Sequence, residues 1–496
     1  MQVKTSSTLL SAPFSPKLGV WIALAVFAFL FTAGFIGYIG SKFIYLLFTV
    51  SFSTLLLSGI YYPSTYSYLF LTIFLWLGFW FKFTANFLLL GYFPFEEPVG
   101  YFLESASGWD HALWIAIAGS TAVMFARLLY KFTKFGSTVA IRKKIIPPIW
   151  YSRFRSWLWM ILIASIIGLA LLNGIYGIQQ SGLVPRTRLY WPLNAVTYWL
   201  LSTGFSMAAA TFLWWDIGLR KNLVIPVYAI LVEALFSTVS LLSRSVYLFH
   251  VIPQLLALIV NRGSIFSMHK KNAILIVIVF FILFVGSVIS VSLLRDVYYS
   301  PKIGSIASID KLPASYSKNE LAATSSIRLK LLHQLIINRW IGIEGVLAVS
   351  SYPKKSPALF FNALMVQSSI DNVDVYQKIS NSAYQEVDGS KYQFASLPGA
   401  TAFLYYSGSA WYVIFGMFFL TFVAMCSERL VLLMTGNVTL CALYGVNVAN
   451  AIAQLGVTPR QLVPHLGMIA ATVVIIWVIQ SAMFNRFVTH AWRGKS

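Results

Sequence analysis

Apolar runs of about twenty residues recur from one end of this chain to the other, and that is the length a helix needs to cross a bilayer core. They fall at 18–40, 43–61, 66–91, 111–130, 156–178, 193–216, 223–243, 246–261, 272–294, 400–425, 430–453 and 464–485, about twelve in all. Inside hydrocarbon every backbone amide and carbonyl must find a partner within the segment, so such runs read as helices. Barrel strands would alternate apolar and polar residues over roughly ten positions, and these runs do not alternate. Composition points the same way, with 58% of 496 residues hydrophobic, 10% charged and a mean hydropathy of +0.75. A soluble domain carries roughly 25% charged residues. The expectation is an all-α polytopic membrane protein. The polar start 1–17 leads into an apolar run too long for a signal-peptide core, so no cleaved leader is expected there.

One stretch interrupts the pattern. Between the ninth and tenth runs, residues 295–396 form a polar insertion that must lie outside the hydrocarbon. It divides the chain into an N-terminal bundle (1–294, about nine helices), the loop (295–396) and a C-terminal group of about three helices (397–496). Orientation follows from the short connections, because Lys and Arg hold a connection on the cytoplasmic side. Lys131, Lys134, Arg142, Lys143 and Lys144 follow the fourth run. Arg220 and Lys221 follow the sixth, Arg262, Lys270 and Lys271 the eighth, and Arg486, Arg493 and Lys495 the last. All share one side if both termini are cytoplasmic, which puts the large loop outside, in the periplasm of a Gram-negative host. The net charge of +21 is thereby explained by topology. No basic patch interleaved with aromatics lies outside the apolar runs, which argues against nucleic acid. Cys426 and Cys441 both fall in or beside apolar runs, which argues against a disulfide framework or a metal centre.

The candidate chemistry gathers around the loop. Arg244 sits in Leu242-Ser243-Arg244-Ser245 at the outer mouth between the seventh and eighth runs. It reads either as an arginine snorkelling to headgroups or as an anion clamp whose guanidinium fork matches phosphate oxygens. Arg328 and Arg339 are eleven residues apart, nearly three helical turns, so both project from one face of an amphipathic segment that includes Ile327, Leu331, Leu335 and Ile336. That segment lies on or dips into the outer leaflet, and its cations hold either headgroups or an anionic substrate. Gly342 and Gly345 bracket Glu344 and predict a break that turns the carboxylate into the bundle as a candidate general base. The alternative is a surface carboxylate paired with Arg339. Lys82 and Glu233 are ionisable residues within the runs, where a charge faces a cavity or a partner; they pair with each other or line a groove. Trp340, Tyr405 and Tyr406 belong to an outer aromatic cluster that serves either the interfacial belt or sugar stacking. His333 is the loop's histidine. No phosphate-binding glycine loop, nucleotide fingerprint or metal-ligand spacing appears. An enzyme of this kind draws its energy from an activated, membrane-delivered substrate.

Three stretches resemble the Wzy-type O-antigen and oligosaccharide repeat-unit polymerases, relatives of the O-antigen ligases. They are Ser240-Leu241-Leu242-Ser243-Arg244-Ser245, Asn338-Arg339-Trp340-Ile341-Gly342-Ile343-Glu344-Gly345, and Leu397-Pro398-Gly399-Ala400 through Tyr405-Tyr406-Ser407-Gly408. The resemblance implies a glycosyltransferase C type bundle in the bacterial inner membrane. It implies transfer of a growing glycan from undecaprenyl pyrophosphate to an incoming undecaprenyl-linked repeat unit, without metal or cofactor. It also implies a role in lipopolysaccharide and surface polysaccharide biosynthesis, beside membrane lipids and with a flippase and a chain-length regulator as partners. On that analogy Arg244, Arg328 and Arg339 bind the pyrophosphate, Glu344 deprotonates the acceptor hydroxyl, and His333, Trp340, Tyr405 and Tyr406 contact sugar. Two rival classes are a secondary transporter or flippase, and a scaffold subunit of an envelope-assembly complex. Against the transporter stands the lack of matching broken helices in two similar halves.

Overall fold

The computed structural model describes residues 17–90, 99–133, 136, 147–261, 270–298, 337–365, 374–382, 385, 389–393, 396–455 and 459–481. Arg328, His333 and the amphipathic run 327–336 lie outside the described residues. The fold is all-α: α1 (Lys17–Gly37), α2 (Lys42–Tyr61), α3 (Tyr66–Trp76), α4 (Lys82–Leu90), α5 (Ala106–Phe132), α6 (Ile149–Tyr176), α7 (Leu193–Trp199), α8 (Phe205–Gly218), α9 (Val224–Ser240), α10 (Arg244–Val260) and α11 (Lys270–Tyr298). After the long insertion begins come α12 (Ile343–Ser351), α13 (Pro357–Met365), α14 (Val375–Ser380), α15 (Ala400–Leu404), α16 (Ala410–Thr435), α17 (Val438–Ala453) and α18 (Pro459–Gln480). Among the described residues eight helical stretches are long and apolar enough to cross a membrane, and four shorter apolar helices accompany them. The faces they turn outward are greasy. Along α11, Phe281 and Ile282 are 57% and 64% exposed, which suits lipid and not water.

Among the described residues two stretches of π-helix interrupt the ladder, Leu77–Phe81 between α3 and α4, and Leu200–Gly204 between α7 and α8. One expected boundary moves. The run 400–425 does not form one helix: α15 ends in a tight turn at Tyr405–Ser407, Gly408 adopts φ +76°, and Ser409 caps a new helix by accepting from the Trp411 amide. Apolar composition continues through this corner, so hydropathy alone runs past it.

Helix ends are tied by side chains from distant elements. Asp110 of α5 accepts from the Ser41 amide at 2.9 Å and from the Tyr38 hydroxyl at 2.9 Å, fixing the start of α2. Glu428 of α16 accepts from the Tyr66 and Ser67 amides at 2.8 and 2.6 Å, holding the start of α3. A carboxylate there satisfies orphan amides and complements the helix dipole. Asp216 closes α8 as a buried acceptor for Arg155 (2.5 and 2.8 Å), Tyr151 (3.0 Å) and Trp159 (3.1 Å), which binds α6 to α8.

The core forms two groups. One joins α1–α5 to α12–α18; the other is built mainly from α6 and α8–α11. The first and last parts of the chain therefore pack together around the inserted segment. A two-stranded antiparallel pair, β1 (Gly182–Leu183) and β2 (Tyr392–Gln393), ties the α6–α7 connection to the insertion. A bond from the Gly100 amide to the Ser380 carbonyl ties the α4–α5 connection to it as well.

Candidate functional site

Helix α12 lies inside the bundle. Ile343, Val346, Leu347, Ala348 and Val349 are fully enclosed, so this part of the insertion is core and not a surface loop. Small residues make the entry possible. A Cβ at Gly345 would lie 2.0 Å from the Pro398 carbonyl oxygen, and a Cβ at Gly78 would lie 2.1 Å from that of Ile341. Two backbones touch at each point, which only glycine permits.

Where Gly78 meets Ile341, the chain from Asn338 to Glu344 wraps around one ammonium. Lys82, wholly buried at the start of α4, donates to the Asn338 carbonyl at 3.0 Å, the Trp340 carbonyl at 2.7 Å and Glu344 Oε1 at 2.5 Å. Asn86, one turn further along α4, donates to Asn338 Oδ1 at 3.4 Å. Arg339 lies between the two bound carbonyls and is exposed. Trp340 is half-buried and stacks on Phe74 of α3, with ring centroids 6.2 Å apart. Phe74 in turn meets Phe249 of α10 edge-on at 5.8 Å. Since Arg244 opens α10, the two arginine-bearing segments border one aromatic row.

Several sequence expectations change here. Glu344 is 3% exposed and pairs with Lys82, so the alternative of a surface carboxylate paired with Arg339 fails. Its burial inside the bundle follows the turn expected at Gly342, whereas Oε1 is already engaged by a charged donor. Lys82 and Glu233 do not pair with each other. Glu233 faces His250 Nδ1 at 3.0 and 3.1 Å, accepts from Ser237 Oγ at 2.9 Å, and belongs to the second core group's helices. His250 Nε2 lies 2.8 Å from the Ser202 carbonyl oxygen in the second π stretch. Tyr405 and Tyr406 are 4% and 1% exposed, and the Tyr406 ring packs on Phe403 at 5.1 Å, so neither offers an open face to a sugar. Tyr405 instead places its hydroxyl 2.8 Å from His111 Nε2.

Arg244 is half-buried at the first position of α10, beside the reversal at Leu242, whose φ is +53°. Arg295 donates to the Leu242 carbonyl at 2.7 and 3.0 Å, and Asn173 donates to the Ser240 carbonyl at 2.9 Å, so the corner presenting Arg244 is braced from α6 and α11.

Sequence reasoning missed Asp216, Glu428 and His111. Asp216 stands at the last position of an apolar run and Glu428 in the gap between two runs, which made both look like ordinary interfacial charges. Nothing local to either residue announces its partners. His111 carried a signal that was available, as an outer-end histidine on the same side as the tyrosine cluster. No family model, curated protein or solved structure matches the chain.

Proposed function

We propose that the protein polymerises lipid-linked oligosaccharide repeat units, moving a growing glycan from undecaprenyl pyrophosphate onto an incoming undecaprenyl-linked unit at the periplasmic face of the bacterial inner membrane. The observation that carries the reading is the segment Asn338–Gly342, folded back onto an apolar bundle so that exposed Arg339 is held by a fixed backbone at the loop end. A substrate anchored in lipid by one end and carrying a pyrophosphate at the headgroup level needs a cation at that boundary. Pyrophosphate is already a good leaving group. The protein's task is then to hold two lipid-linked sugars in register and to stabilise charge developing on the departing phosphates.

In this reading Arg339 and Arg244 face the pyrophosphate, with guanidinium forks that stay charged and bind phosphate bidentately. Trp340 supports the adjacent sugar with the open part of its ring. Glu344 serves as the counter-ion of Lys82 in preference to a general base, since a carboxylate already bound by an ammonium inside the core has no open path to an acceptor hydroxyl. No metal or nucleotide enters the scheme. An O-antigen ligase would use the same groups with a different acceptor.

The test is turnover of lipid-linked repeat units by the purified wild type, Arg244→Ala, Arg339→Ala and Glu344→Gln, resolved as a glycan ladder. Loss of one such preorganised donor costs about a hundredfold or more in turnover, so the ladder should collapse to single units in both arginine variants. Ladders unchanged by either arginine substitution would sink this site.

A second reading has one observation in its favour. The Glu233–His250 pair is enclosed among helices of the second core group, and buried titratable pairs in membrane bundles mark proton pathways in transporters. His250 places Nδ1 3.0 Å from the Glu233 carboxylate and Nε2 2.8 Å from the Ser202 carbonyl oxygen, a chain of polar atoms along which a proton could pass. Proton-driven uptake of a lipid-linked glycan into proteoliposomes, abolished by His250→Ala, would favour that reading over polymerisation.

A further inference from the structure

We infer that Lys82 is a positioning residue for Arg339, a buried pin that sets the direction of the cation on the exposed side of the segment. The inference rests on the reading of Arg339 as a pyrophosphate-binding residue and assigns a role to a lysine that touches no substrate.

An ammonium has three donors and no acceptor capacity. In Lys82 all three directions are used, toward the Asn338 carbonyl, the Trp340 carbonyl and Glu344 Oε1. The two carbonyls belong to the residues immediately before and after Arg339. The first lies in the peptide that leads into Arg339 and the second in the peptide that leaves Trp340, so holding both on one atom restrains the backbone torsions of the two residues between them and, with those, the direction of the Arg339 Cα–Cβ bond. Glu344 balances the charge and ties the start of α12 to the same nitrogen, which closes the loop 338–344 around one atom.

The helix is shaped for this contact. Lys82 follows directly on the π-helical stretch Leu77–Phe81, and π bulges in helices frequently mark functional sites. Within that stretch Gly78 lets the Ile341–Gly342 backbone lie directly on the helix. Burying a lysine in an apolar core is costly, and an apolar side chain of similar volume often serves stability as well or better. Merely gluing the segment to α4 needs no charge, and the bonds made here converge on the two carbonyls that bracket the exposed Arg339 and its neighbour Trp340. A structural role alone gives no reason for that choice of acceptors.

The experiment uses the full chain in lipid nanodiscs with Lys82→Met, Lys82→Gln, Arg339→Ala and the double variant Lys82→Met/Arg339→Ala. Repeat-unit coupling is followed with lipid-linked units extracted from the host membrane. A misplaced catalytic group costs about a hundredfold, so Lys82→Met should lower kcat by that order with KM little changed. The double variant should be no slower than Arg339→Ala alone, because a pin has nothing left to position. Additive losses would overturn the inference, as would failure of both neutral variants to give folded protein, which would make the lysine a determinant of the fold.

A second readout does not depend on turnover. A cysteine placed at Ile337, 6% exposed beside the pinned segment, should react slowly with an impermeant maleimide. Adding Lys82→Met removes charge-assisted bonds and should speed that reaction by about tenfold or more. Peptide masses score Cys426 and Cys441 separately. An unchanged labelling rate overturns the pin. Faster labelling with no ladder from the wild type would instead retain the pinned segment and discard the polymerase reading.

Discussion

At the scale of single residues, contact distance decides more than residue class. Gly78 and Gly345 look interchangeable with any small helix residue in a list of amino acids, yet each carries a backbone-to-backbone contact that a methyl group would occupy. Forced overpacking typically costs about 1–3 kcal/mol. Gly78→Ala should lower the unfolding free energy by that order, seen as a lower midpoint, and, by lifting Ile341 off the helix, reduce repeat-unit coupling more than its stability loss explains. Thermal unfolding and ladder assays on the same preparation check both halves. Asp216 makes the complementary case. It is fully buried and accepts from Arg155, Tyr151 and Trp159, so Asp216→Ala leaves three donors behind. Breaking a buried pair by removing one partner costs about 3–5 kcal/mol. A melting temperature within a degree of the wild type would refute this account of how α6 is joined to α8.

Elements in this protein are placed by their ends. α2 starts on Asp110 of α5, α3 on Glu428 of α16, and the corner before α10 on Arg295 of α11. The insertion is anchored in the same way, through the register that sets Leu183 opposite Tyr392. Cysteines at these two positions should form a disulfide under mild oxidation, seen as a shift in non-reducing peptide maps. Leu183 with Gln393, one residue out of register, should cross-link far less. The reversed preference would mean a slipped strand pair.

For the molecule as a whole, the chain's first and last helices enclose one core and the middle helices a second. The insertion bridges them at one end, where connections 177–192 and 99–105 meet it. That arrangement predicts sidedness. Cysteines at the exposed Arg188 and Lys391 should be modified by an impermeant reagent from the same face of the membrane, and one at Lys221 only from the other. The proposed orientation makes the first face periplasmic. Labelling of Lys221 alongside the other two in intact cells would contradict it.

The sequence by itself determined the solvent and the kind of element. Runs of apolar residues long enough to span a bilayer and without a barrel strand's alternation dictate helices, because only a helix satisfies its backbone hydrogen bonds within one segment. A turn before Glu344 was legible at Gly342, which precedes α12, but the break expected at Gly345 does not occur: that glycine lies within the helix and serves the close contact with Pro398. Partners were not legible. Lys82 and Glu233 stand within the runs as charges that need a partner or a cavity, and pairing with each other was one of two outcomes open to them, but Lys82 meets Glu344 and Glu233 meets His250. Charge pairing inside a bundle is set by which helix faces which, and in apolar helices hydropathy is nearly the same around the whole surface. Tertiary structure alone decided that α12 is core, that Tyr405 and Tyr406 are enclosed, and that one buried ammonium holds the backbone on either side of Arg339. Each depends on side chains and carbonyls brought together from far apart in the chain, a distance over which local pattern carries no information.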